Sequence, residues 1–78
     1  MTLITLPQSG AIIDLDRVAF VIATQAPNNP NLVGVKIALI GAELTFFLDD
    51  ARRFLELLRD HQQVDVEKLL KSIAETGA

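Results

Sequence analysis

A lone histidine, two aspartates one residue apart and three arginines are the side chains with any claim to chemistry in this chain. His61 falls at the end of a helical stretch, where a cation interacts favourably with the helix C-terminal dipole. As a general base it would need a nucleophile or a carboxylate beside it, and none stands at a recognisable spacing. Asp14-Leu15-Asp16 puts two carboxylates on the same side of an extended segment. Such a pair can hold a divalent cation or share a proton, but no third ligand or EF-hand spacing accompanies it. Turn formation and strand capping account for these aspartates more simply. Ser9 belongs to a turn and Ser72 to a helix surface, and neither has the glycine-flanked setting of an activated serine.

Arg52, Arg53 and Arg59 form the only basic cluster. Arg52 and Arg59, seven residues apart, share a helix face that could meet an acidic partner or phosphates. Glu56 and Asp60 interleave with them, which reads as a solvated, ion-paired surface. Seven Lys and Arg against ten Asp and Glu leave a net charge of −3, the wrong sign for a nucleic-acid binder. With four Phe and no Trp or Tyr, a base-stacking platform is missing as well. Gly10, Gly34, Gly41 and Gly77 are isolated, so no phosphate-cradling loop precedes a helix. There is no cysteine, hence no disulfide or thiolate metal site. The expectation is a protein that is not an enzyme and uses no cofactor or metal.

At 78 residues and 50% hydrophobic, the chain is ordered and makes one domain, 1–78. No apolar run approaches the ~20 residues of a membrane-spanning helix, so no membrane partner is expected. Met1 to Gly10 lacks Lys, Arg and any sustained apolar stretch, unlike a secretory signal, and a cytoplasmic location is the default expectation.

The elements that must position these residues follow from patterning. Gly41-Ala42 suits the centre of a type II′ hairpin turn, which wants glycine first. Counting outward pairs Leu39 with Leu44, Ile37 with Phe46 and Val35 with Leu48, all on one face. A one-residue slip would scatter that set. Arg17–Gln25 is a strand with Val18, Phe20 and Ile22 on one face and Ala19, Val21 and Ala23 on the other. Ala26-Pro27-Asn28-Asn29-Pro30-Asn31 reads as the loop joining it to an antiparallel neighbour, Leu32–Ile40. Thr2–Leu6 and Ala11–Ile13 are shorter strands flanking the turn Pro7–Gly10.

Two helices close the chain. Asp49 is the expected N-cap of the first, whose apolar stripe is Ala51, Phe54, Leu55 and Leu58, with Leu57 widening it. Asp65 caps the second, with Val64 and Leu69 at staple spacing. Its stripe is Val66, Leu69, Leu70 and Ile73, Glu67 and Lys71 form an i,i+4 pair, and Gly77 is the stop. His61-Gln62-Gln63 contains no breaker, so one bent helix remains an alternative. The fold class is α+β: an antiparallel β-meander of three to five strands followed by two C-terminal α-helices.

This plan leaves apolar residues over. If the helices cover the Val35–Ile37–Phe46 face, the opposite face presents Lys36, Ala38, Ile40 and Phe47. A chain of this size has little left with which to cover them. Large exposed apolar patches mark interfaces, so a protein-interaction module is expected, homodimeric or an accessory subunit of a larger assembly. Lys36, Ala38, Ile40 and Phe47 would form its contact surface, with the sheet edge as a further possibility. Folding of the second helix onto this face would instead give a three-layer monomer. A separate alternative is a small-molecule-binding regulatory domain, with a pocket between sheet and helices and Pro27–Asn31 at its mouth.

Overall fold

The turn Pro7–Gly10 closes a short hairpin in the computed structural model, which describes residues 1–76. Strand β1 (Leu3–Thr5) runs antiparallel to β2 (Ile12–Asp14), with Ile4 opposite Ile13. The Leu6 N–H donates to the Ala11 carbonyl at 2.9 Å across the turn. A single 3-10 turn, Leu15–Arg17, leads into a separate sheet of β3 (Val18–Ala26), β4 (Asn29–Leu39) and β5 (Ala42–Phe47), antiparallel in that spatial order. Helices α1 (Leu48–Gln62) and α2 (Glu67–Thr76) follow. The α+β class and the order of strands before helices are as the patterning predicts, and Gly77 lies outside the described residues.

Three details of the sheet differ from expectation. In the β4–β5 hairpin Leu39 stands opposite Ala42, so Ile40 and Gly41 are the central turn residues. Gly41, at φ 84°, takes the second of those positions, as a type II turn requires, rather than the first. The pairing is therefore shifted by two, giving Val35 opposite Phe46 and Ile37 opposite Leu44. Because side chains alternate with period two, the shift preserves the faces, while Ile40 leaves β4 for the turn and Leu48 leaves β5. Gly34 gives the physical reason: it lies opposite Phe47, and the absence of a side chain there lets the Phe47 ring lie against it.

The second difference is a bulge. Val18 pairs with Leu39 but Phe20 with Ala38, so Ala19 is an extra residue on β3. Val18 consequently packs against the core, while Phe20 and Ile22 switch to the other face. The third concerns the proline-asparagine segment. Ala26 already pairs with Asn29, leaving a tight turn over Pro27 and Asn28 instead of a six-residue loop. The Asn29 side-chain oxygen accepts from the Asn31 N–H at 3.1 Å, and the irregular pairing there accommodates Pro30, which has no N–H for the ladder.

Helix α1 carries the expected buried stripe of Ala51, Phe54, Leu55 and Leu58. Its start is not capped by Asp49, because Leu48, at φ 57°, already begins the helix and no side chain caps it. Asp49 instead accepts from Arg52 at 3.0 Å. The two helices are distinct. Gln63 adopts φ 55° and its N–H donates to the Arg59 carbonyl at 2.8 Å, which ends α1 in a left-handed cap. The Asp65 carboxylate accepts from the Glu67 N–H at 3.1 Å, as a start signal should. Arg59 then ties the helices together through Glu67 at 3.2 Å, so Glu67 reaches back to α1 rather than forward to Lys71.

Since glycine adopts the left-handed region without steric cost, Gln63→Gly is expected to raise stability by about 0.5–1 kcal/mol. A urea titration would read this as a higher midpoint at unchanged slope.

Both helices lie on the same side of the sheet. Phe54, Leu55 and Leu58 of α1 and Val66 and Ile73 flanking and within α2 join one core with Val35, Ile37 and Phe46. Leu6, Ile13 and Leu15 fold the small hairpin onto the same cluster. The three-layer arrangement is therefore not formed: α2 does not cross to the second face. No helix of the described residues is long and apolar enough to cross a membrane.

Candidate interaction surface

The uncovered face of the sheet is built by alternation. With Val21, Ala23, Val35, Ile37, Leu44 and Phe46 directed inward, the outward row on β3 is Phe20, Ile22 and Thr24. On β4 it is Gly34, Lys36 and Ala38, and on β5 it is Glu43, Thr45 and Phe47. Phe20 and Ile22 are 47% and 49% exposed, a large share for side chains of this size within a strand. Phe47 is half-buried against Gly34. Ala38 is only 8% exposed although no layer lies above it, because Phe20 and Glu43 flank it on the neighbouring strands.

Lys36 and Glu43 form an ion pair of 3.1 Å along the face. Both are well exposed, so this pair contributes little to stability, but it holds two opposite charges beside the apolar row. Of the residues expected here, Lys36, Ala38 and Phe47 lie on the face. Ile40 does not: it occupies the turn, 81% exposed, because the shifted hairpin ends β4 at Leu39. Phe20 and Ile22 are further members, which the sequence pattern puts on one face with Val18 and which the bulge turns outward. Val21 pairs with Ile37 on the inner side, which directs Phe20 and Ile22 outward.

The cleft on the core side is a second feature. About 300 Å³ lies between the start of β3, the end of α1 and the start of α2. Leu15, Val18, Val21, Leu58, Val66 and Leu69 form its apolar walls, and Gln62 and Asp65 supply polar groups. The Pro27–Asn31 segment does not line it, contrary to expectation.

The chemistry-bearing residues are drawn into structural pairs. His61 Nε2 lies 2.8 Å from Asp16, a carboxylate partner invisible at a separation of 45 residues. That contact, with the Met1 amino group at 3.3 Å, holds the Asp16 carboxyl below its ordinary pKa. An imidazole oriented by a carboxylate can serve as a base when a nucleophile stands beside it. The two serines are engaged elsewhere: Ser9 accepts from the Ala11 N–H at 3.2 Å and Ser72 donates to the Lys68 carbonyl at 3.1 Å. Asp14 accepts from the Asp16 and Thr2 N–H groups at 3.0 and 3.2 Å, the capping role expected of it. Arg52, Arg53 and Arg59 each meet a neighbouring carboxylate. Among the described residues, no group of three or more His, Cys, Asp or Glu is placed to hold a metal ion. Comparison of the chain with protein families, curated proteins and solved structures finds no match.

Proposed function

We propose that this chain is a small protein-interaction module, without catalytic chemistry of its own, whose outer sheet face is buried against another protein surface. The observation that supports this is the apolar corner Phe20, Ile22 and Ala38, with Phe47 at the opposite corner of the same face, which neither helix covers. Contiguous exposed apolar surface on a small domain marks a place of contact, and aromatic residues at its centre are typical anchors. Lys36, on the middle strand between Ile22 and Thr45, and Glu43, beside Ala38, would set orientation rather than affinity. A homo-oligomer is the simplest assembly, because one self-complementary patch serves both partners.

A charge placed on this face should dissociate the assembly without disturbing the helices. Phe47→Asp and the more conservative Thr45→Arg, at an exposed position on β5, are expected to lower the mass measured by light scattering while the helical circular dichroism stays unchanged. Retention of the full mass in both variants would remove the outer face from consideration.

A further inference from the structure

The outer edge of β3 is a second surface, distinct from the face. β3 is the terminal strand of its sheet, and among the described residues the backbone–backbone hydrogen bond that reaches it from outside the β3–β4 ladder is at its first residue, where the Val18 N–H donates to the Leu15 carbonyl. Such an edge presents a row of N–H and C=O groups to any strand that can approach. Natural proteins guard edges with lysine, proline, inward charges or short length. β3 has none of these: over its nine residues, Val18 to Ala26, there is no charged side chain and no proline. Its irregularities sit near the two ends, between Val18 and Phe20 and between Gln25 and Ala26, leaving a regular stretch between them.

From this we infer that β3 pairs antiparallel with β3 of a second copy, joining three strands from each copy into one continuous sheet. The strand itself favours a second copy. A two-fold axis through Ile22 sets residue 18 against 26, 20 against 24 and 21 against 23, so all nine residues overlap. In that register Phe20 meets Thr24 and Ile22 meets Ile22 on the outer face, while Val21 meets Ala23 on the inner one. Both apolar rows then continue across the axis. No like charges are brought together, although each chain carries a net charge of −3. The bulge at Ala19 falls outside the regular stretch. Edge pairing goes beyond the outer-face reading and uses different groups. The face would be doubled in width by it and left open.

The chain contains no cysteine, so single introduced thiols report geometry directly. Residues facing each other across an antiparallel pair have Cα atoms about 4.5–5.5 Å apart, within disulfide reach. Ile22→Cys, at a half-exposed position, is expected to oxidise to a covalent dimer about a thousandfold faster than Lys71→Cys at micromolar protein, the ratio of millimolar effective to micromolar real concentration. Phe20→Cys mixed with Thr24→Cys should give the mixed disulfide in preference to either homodimer. Adding Phe47→Asp to Ile22→Cys should leave the cross-linking rate unchanged. An Ile22→Cys rate no greater than that of Lys71→Cys would overturn the edge pairing, whatever the outer face does. So would cross-linking abolished by Phe47→Asp, which would place the contact on the face.

Discussion

Gly34→Ala is expected to cost about 3 kcal/mol, near the upper end for overpacking a well-filled site. An added methyl would run into the Phe46 backbone oxygen and the Phe47 ring at once. The ring could swing away, but the carbonyl belongs to β5 itself, so the strand pair must move apart. Because Gly34 opposite Phe47 holds the hairpin in register, the variant should also loosen β4–β5 pairing. Urea unfolding would show a lowered midpoint, and hydrogen exchange would show lost protection concentrated in β5. Removing the ring as well, in Gly34→Ala/Phe47→Ala, should recover only part of the loss, since the carbonyl contact remains. A Gly34→Ala protein as stable as the parent would mean that this close approach does not set the register.

The second large effect centres on Asp50, the only buried charged side chain among the described residues. It accepts from the Gln8 N–H at 2.6 Å and the Ser9 N–H at 3.0 Å, and so fastens the first hairpin's turn to the start of α1. Burial pushes its carboxyl pKa up, but the donors from Gln8 and Ser9 outweigh burial and leave it below the ordinary 3.8. Asp50→Ala is expected to lose about 2–3 kcal/mol, since hydrogen bonds to a charged group are the strong ones and the apolar replacement offers no acceptor. Asp50→Asn keeps one acceptor and should lose less. The pH dependence follows from the depressed pKa. Stability from a carboxylate of this kind is fully present above its unfolded value and is lost as pH falls through the folded one. The gap between the parent and Asp50→Asn should therefore be constant near neutrality and close below about pH 4, near the ordinary carboxylate value. A gap that widened on acidification would contradict this role.

Much of the fold was legible because it depends on parity and period. The stripe Ala51, Phe54, Leu55 and Leu58 appears as buried in α1, and Val35, Ile37 and Phe46 face the core although their partners are shifted by two residues. A shift by an even number leaves every side chain on its side. The bulge at Ala19 is odd, and it inverted the assignment of Phe20 and Ile22 relative to Val18. Nothing in the local pattern of β3, apolar on both faces, marks where an extra residue would sit. The start of α1 was misread for a different reason. Asp49 is a good cap in isolation, but the helix already begins at Leu48, so Asp49 falls within the first turn and pairs with Arg52. His61 and Asp16 show a further limit, since only the folded chain brings them together. Of the interaction surface, Lys36, Ala38 and Phe47 follow from alternation alone, whereas Ile40 was carried onto the face by the misplaced turn.

If the outer face is a contact surface, this sheet does not stand alone in solution. Light scattering behind size exclusion, across a dilution series, tests it most directly. The expected mass is a multiple of the single chain at the concentrated end and falls on dilution or on introduction of Phe47→Asp. A single-chain mass at every concentration would contradict it.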